Sequence, residues 1–179
     1  MKKEDKIEYK SVEKNNLKVL VAKYIKEIID RDSEHFKISK YDLCNKILIK
    51  FALKETTNFL NIPPFEEKEY LEFGLQKDNI SRFLELKKIK NNKTESEIIR
   101  EIFSCYTTLP PFLRETNLFE EKIVYLISAK KEFKKLKFYS EKGIIEGEIE
   151  RIGRNPEDNY LEIEVNSKKY YVSKIEIIT

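Results

Sequence analysis

Tryptophan is absent from this chain, and glycine, cysteine and histidine are scarce. Four glycines among 179 residues argue against a long flexible linker, and no glycine-rich loop suited to cradling a phosphate is present. The two cysteines, Cys44 and Cys105, fall inside apolar helical patterns. They read as reduced core residues rather than a disulfide or a metal site. The single histidine, His35, reads as a surface position in a polar loop before a helix. No Ser/Cys–His–acid set can be assembled around it, so no enzyme and no cofactor are expected. The acidic pairs Glu66-Glu67 and Glu120-Glu121 stand beside helix starts, where the helix dipole is reason enough for them. Neither sign of charge dominates: 35 basic and 32 acidic side chains leave a net +3. Any affinity for nucleic acid therefore has to come from local patches. No apolar run approaches the ~20 residues of a membrane span. The opening "MKKEDKIEYKS" has no apolar stretch behind its basic start and does not read as a signal peptide. A cytoplasmic protein with no membrane partner is expected. Its heavy use of Lys, Ile, Asn and Glu points to a bacterial source.

What is present is a repeated punctuation. Four of the five prolines sit in two patches, "NIPPF" (Asn61–Phe65) and "TLPPF" (Thr108–Phe112). Proline lacks an amide donor and clashes with the preceding turn, so each pair ends a helix. Before the second pair, Thr94 and Glu97 form a capping box, and Ile98, Ile99, Ile102, Phe103 and Tyr106 follow at helical spacing. Before the first, Ser39 caps with Asp42, and Leu43, Cys44, Ile47, Leu48 and Phe51 make the matching stripe. Further back, Leu17, Leu20, Val21, Tyr24, Ile25, Ile28 and Ile29 share one helical face, as do Ile80, Phe83, Leu84 and Ile89. A short alternating run precedes each of these helices. Ile7 and Tyr9 alternate with Glu8 and Lys10, and Leu71, Phe73 and Leu75 with Glu72, Gly74 and Gln76. The first ~110 residues thus read as strand–helix–helix twice, each copy closed by Pro-Pro.

Two such units can bury their strands as an antiparallel ribbon over four helices. This pattern, over roughly residues 5–107, resembles the ribbon–helix–helix family of DNA-binding proteins, with both halves on one chain. The resemblance implies that outward strand side chains read base edges: Lys6, Glu8 and Lys10, then Glu72, Gly74 and Gln76. It also implies that the second helix of each unit holds phosphate at its start, at Ser39 and Lys40 after Lys37, and at Thr94 and Glu95 after Lys93. Lys87, Lys88 and Lys90 add charge nearby. Against this, Glu8 and Glu72 would face phosphate, and a solvated lysine face over a dimer core explains the same residues.

The C-terminal third changes period. Leu118, Phe119, Ile123, Leu126, Ile127 and Phe133 predict a helix near 117–133. "KLKFYS", "GIIEGEIERI", "NYLEIEV" and "KKYYVSKIEII" then read as short strands joined by turn chemistry. Four or five strands in about 45 residues fit a small curled SH3-like or Sm-like barrel. The entry "YTTLPPFLRETNLFEEKIVYLISAKKEFKKLKFYSEKG" and the ending "DNYLEIEVNSKKYYVSKIEII" resemble those of a WYL domain, with Asn159-Tyr160-Leu161 at the motif and Asn159 in the tryptophan's place. Ribbon–helix–helix units joined to WYL domains resemble accessory proteins of type VI CRISPR systems and WYL transcription regulators. WYL domains imply ligand or single-strand binding through basic and aromatic residues: here Lys137, Tyr139, Arg151, Arg154, Tyr160, Lys168, Lys169, Tyr170 and Tyr171. The alternative is that Tyr160 and one of Tyr170 and Tyr171 are core.

The expectation is an α+β protein with a tandem ribbon–helix–helix-like domain over 1–110. A helix plus WYL-like β-barrel domain follows over 111–179. It would act as a nucleic-acid-binding regulator, on duplex DNA or single-stranded RNA, or beside a CRISPR effector. It would be a monomer with an internal pseudo-dimer, or a homodimer. The rival is a protein-interaction factor, an adaptor or mobile-element-encoded inhibitor with no nucleic-acid binding of its own.

Overall fold

A computed structural model describes residues 16–53 and 67–178. The strand expected around Lys6 to Lys10 and the first Pro-Pro patch fall outside the described residues. The chain is a mixed α+β fold of six helices and two antiparallel sheets among those residues.

The first sheet is a two-stranded ribbon of β1 (Asn16–Ala22) and β2 (Lys68–Gly74). Residues 17–21 were expected to open a helix, and they form a strand instead. Leu17, Val19 and Val21 alternate with Asn16, Lys18 and Leu20, and over residues 16–21 only the first set is buried. Leu20, assigned by the helical reading to the buried face, points outward. β-branched residues at period 2 satisfy a pleat better than a helix, and the partner strand supplies the missing hydrogen bonds. Opposite them, Leu71 and Phe73 point inward while Glu72 faces out, as their alternation predicts.

Two helices follow each strand: α1 (Lys23–Phe36) and α2 (Lys40–Phe51), then α3 (Lys77–Ile89) and α4 (Glu95–Thr107). Ser39 caps α2, accepting the Asp42 amide at 3.0 Å. Thr94 and Glu97 form the expected reciprocal box on α4. Thr94→Ala is expected to cost about 1 kcal/mol. The check is a lower urea midpoint at unchanged m value. All five expected apolar residues of each second helix are buried. On α3 the expectation is half wrong. Phe83 is buried and Ile80 partly so, but Leu84 is 53% exposed and Ile89 68%, and Leu86, outside the expected face, is buried instead.

The two halves are arranged alike. α2 packs against α4 at the centre, where Phe51 meets Tyr106 edge to face at 5.3 Å. Aligned on their caps, these two residues occupy the same place in the two halves. The same alignment sets the α2/α3 groove equivalent to the α1/α4 groove. Aligned on the starts of α1 and α3, Asp32 takes the place of Leu86 and His35 that of Ile89. Among the described residues the two grooves are not equally filled. Ile49, Leu53 and Ile89 edge an open apolar cavity between α2 and α3. Asp32 and Phe36 on the other side are covered by the rest of the chain.

The second Pro-Pro pair starts a helix as well as ending one: Pro110 is the N-cap of α5 (Pro111–Leu118), and Pro111 its first residue. The helix expected near 117–133 is α6 (Glu120–Lys131), which starts later than expected because the chain breaks at Phe119, where α5 ends. Leu118, Ile123 and Leu126 are buried as expected, but Phe133 is 78% exposed.

The second sheet holds β3 (Lys135–Ser140), β4 (Gly143–Arg154), β5 (Leu161–Val165), β6 (Lys168–Tyr171) and β7 (Glu176–Ile177), in the order β6-β5-β4-β3-β7. The four expected strand segments are all there, and the β5–β6 turn places Asn166 and Ser167 at positive φ. The expected barrel is not closed, since no pairing joins β6 to β7 among the described residues. α6 explains why it need not be. Ile123, Leu126 and Ala129 cover the apolar face and share a core with Phe138, Ile163 and Val165. A register shift between Ile149 and Arg151 lets long β4 serve β3 with one half and β5 with the other.

Two cores result, one under the ribbon and one under α6. Among the described residues no helix is long and apolar enough to cross a membrane, and no group of His, Cys, Asp and Glu is placed to hold a metal ion. Cys44 is buried, and burial pushes its thiol up to about 12.

Candidate nucleic-acid interface

In an antiparallel pair, residues directly opposite share a face. The outer ribbon face is therefore Asn16, Lys18 and Leu20 with Gly74, Glu72 and Tyr70. Lys18 bridges to Glu72 at 3.7 Å, and its ammonium lies 4.9 Å from the centre of the Tyr70 ring. Leu20 and Tyr70 are exposed. The sequence reading found Glu72 and Gly74 on this face but missed Lys18, because residues 17–21 read as the opening of a helix, and Tyr70, which it left out of the outward set of the second strand. Gln76 does not project from the ribbon as expected. It lies past the strand end as the N-cap residue of α3. There its amide donates to Asn45 Oδ1 at 2.8 Å and its side chain donates to Asp42 at 2.9 Å.

The helix starts carry cations, and each faces a carboxylate. Lys37 pairs with Glu141, Lys40 with Asp30, and Lys93 with Glu101. Glu101 also takes Lys90 at 2.8 Å, and Lys87 reaches Glu95 at 3.1 Å. Ser39 and Thr94 use their side chains as caps, so one amide at each start, that of Asp42 in α2 and of Glu97 in α4, turns to the chain itself.

The second sheet tells a similar story. Lys137 stands opposite Glu146, and Tyr139, half exposed, opposite Ile144. Arg151 and Lys169 flank Glu164 from the two neighbouring strands, and Lys169 also reaches Glu162 at 2.9 Å. Lys168 is exposed at the start of β6. Arg154 lies over the Phe112 ring at 4.8 Å. Of the expected stacking residues, Tyr160 and Tyr170 are buried, so their ring faces belong to the protein. Tyr170 meets Phe138 edge to face, and Tyr171 donates to Asp158 at 2.7 Å.

Tyr160 leads to what sequence reasoning missed. It reaches into the α1/α4 groove and donates to Asp32 at 2.5 Å. Tyr106 donates to the same carboxylate. Arg114 of α5 grips it with both prongs, Nε at 2.6 Å and an Nη at 2.8 Å. Asp32 and Arg114 are almost wholly buried. Burial opposes the Arg114 charge, but the Asp32 carboxylate outweighs it and raises the guanidinium pKa. His35 is not on a polar surface loop. It lies in the last turn of α1 and stacks flat on Tyr160, with centroids 3.6 Å apart. Its Nε2 is buried without a hydrogen-bond partner among the described residues, and burial, with Lys174 adding to it, pushes the imidazole down to about 4. Beside it, buried Glu115 accepts the Leu161 amide at 2.7 Å and the Ser173 amide at 3.0 Å. One signal for this network was legible: Asp32 interrupts an apolar stripe of Ile25, Ile29 and Phe36, where a polar residue needs a partner. Nothing in the spacing marked Arg114 or Glu115.

Below this network, α2 and the corner between α5 and α6 enclose a smaller cleft, which brings together Lys46, Lys50 and Lys122 around Phe119.

No family model matches the chain, and no curated protein matches it. Among solved structures, the crystal structure of a CRISPR Cas-related protein is similar in fold, at a TM-score of 0.64 and 10% identity. The likeness covers 90% of this chain and 62% of that one, so the chain spans less than two thirds of that protein's length. At so low an identity the two chains share a fold.

Proposed function

We propose that the chain is a non-catalytic regulatory protein that binds nucleic acid, of the kind that works beside a CRISPR effector. A ribbon–helix–helix-like half up to about residue 110 precedes a WYL-like half. The observation that carries the proposal is the ribbon: two strand–helix–helix units on one chain pair their strands over four helices. That supports an internal pseudo-dimer and a single polypeptide able to present a ribbon to a groove. The fold shared with a CRISPR Cas-related protein over most of this chain supports the setting. On this reading Lys18 and Tyr70 on the ribbon, with Arg151 and Lys169 on the second sheet, would meet nucleic acid.

The test is fluorescence anisotropy with duplex DNA and with single-stranded RNA over a range of salt. Binding is expected to weaken linearly in log salt, as counterion release requires. Lys18→Ala should weaken duplex binding, and Arg151→Ala with Lys169→Ala single-strand binding. A second reading, a protein-interaction factor, is favoured by one observation: the cations at the helix starts already face carboxylates. No binding to either oligonucleotide at low salt selects it.

A further inference from the structure

The lysine cleft carries a charge imbalance that most of the surface avoids. It holds about 200 Å³ and is lined by Lys46 and Lys50 of α2 and by Phe119, Glu120, Glu121 and Lys122 of the α5–α6 corner. Lys50 has a partner, Glu120, at 3.7 Å. Lys122 donates to the carbonyls of Val172 and Ile175 at 3.2 and 2.9 Å. Lys46 has neither. Its ammonium rests 4.3 Å from the centre of the Phe119 ring, with that of Lys122 5.4 Å from the same ring. No carboxylate lies within ion-pair distance of Lys46 among the described residues, and no acceptor meets its N–H groups there.

This is a costly arrangement. Burial holds the Lys46 ammonium pKa below the usual lysine range, and the charge on Lys50 lowers it further. Burial does the same to Lys122, with Lys46 adding to it. Glu121 pulls Lys46 the other way, and Glu115 does so for Lys122, without reversing either shift. Three ammoniums face two carboxylates in the lining, and the surplus donor is half buried.

We propose that this cleft binds a phosphate group, held by Lys46 with Lys122 and Lys50 beside it. Phosphate supplies what Lys46 lacks, a compact anion whose several oxygens accept from more than one ammonium at once. The cleft is smaller than the roughly 300–1,000 Å³ of a site for a whole drug-sized ligand, so it takes the phosphate and leaves the rest of the molecule outside. The phosphate belongs to a nucleic-acid backbone or to a free phosphate compound. Only the first source rests on the function proposed above.

The experiment titrates the full chain with pyrophosphate and, separately, with a short oligothymidylate, each against sodium chloride at matched ionic strength. Thermal midpoint and calorimetric affinity are read. A ligand that binds the folded state raises the midpoint by mass action, and chloride should not. Lys46→Met keeps the stem over Phe119 and removes the charge. It should lower affinity about tenfold or more, the equivalent of one charge-assisted hydrogen bond. Lys122→Met should weaken binding in the same direction. Binding of pyrophosphate alone keeps the site and removes nucleic acid as its source. Binding of the oligonucleotide, lost in Lys46→Met, identifies the backbone. Oligonucleotide binding undiminished in Lys46→Met overturns the cleft and leaves the nucleic-acid reading standing. No midpoint shift with either ligand overturns the site.

Discussion

Asp32→Ala is expected to destabilise the chain by about 3–5 kcal/mol, the range for removing one partner of a buried ion pair. The loss is large because Asp32 has no solvent to share its load. Two oxygens accept from Arg114, Tyr106 and Tyr160 at once, and all three donors are almost wholly buried with it. Alanine leaves a guanidinium and two hydroxyls facing a void. The control is Asp32→Leu with Arg114→Met, which removes both charges and keeps the volume. Such a replacement is often neutral, so most of the loss should return. Urea unfolding checks both. If the double variant is as unstable as Asp32→Ala, the cost lies in the tyrosine hydroxyls rather than in the stranded arginine. The control has a precedent in the fold itself, since Leu86 already occupies the corresponding place in the other half.

The second large effect is one that the intact protein should conceal. His35 titrates at about 4 in the folded chain against 6.5 when free. Between those values the unfolded state binds the extra proton, so stability rises with pH across that window. Glu115 titrates at about 7 against 4.5, chiefly because burial penalises its charge. Here the folded state holds the extra proton, so the stability present below pH 4.5 is lost as pH rises to 7. Each contribution is on the order of 3 kcal/mol, and from about pH 4.5 to 6.5 they oppose each other. Glu115→Gln should unmask the rising limb and His35→Gln the falling one. Urea midpoints measured from pH 4 to 7.5, taken as variant minus parent, read each limb free of the other carboxylates. Matching profiles for Glu115→Gln and the parent would mean that water reaches this carboxyl.

How much of this was legible depended on whether a residue's fate was set by near neighbours. α2 and α4 were readable because cap and stripe agree, from Thr94 and Glu97 through to Tyr106. The sheet strands were readable from β-branched runs between turns. β1 was not, because Leu17 to Val21 fits both a helical face and a pleat, and only pairing with Lys68–Gly74 decides. The barrel failed for a different reason. Strand count leaves closure open, while α6 lying across the sheet settles it. Tyr160 looked like a ligand residue because an aromatic beside a turn is equally suited to base stacking and to docking. Its partner, Asp32, is distant in sequence and carried only a weak mark, a carboxylate in an apolar stripe. Lys46 sits on the polar side of a well-read helix. Its isolation follows from where Phe119 and Lys122 come to rest, which α2 alone cannot reveal.

The likeness of the two halves creates a problem of address. A body meant to dock against one strand–helix–helix unit meets two berths of similar shape, and similar shape alone does not choose between them. The choice falls to one side chain. In the α1/α4 berth Arg114 finds Asp32. In the α2/α3 berth it would face Leu86, a buried charge with nothing to answer it. Discrimination of this sort rests on the cost of the wrong option as much as on the merit of the right one. A duplicated unit thus becomes a two-sided part with a front and a back. The other berth, edged by Ile49, Leu53 and Ile89 and left open among the described residues, is the side that the chain's own C-terminal half has no means to claim.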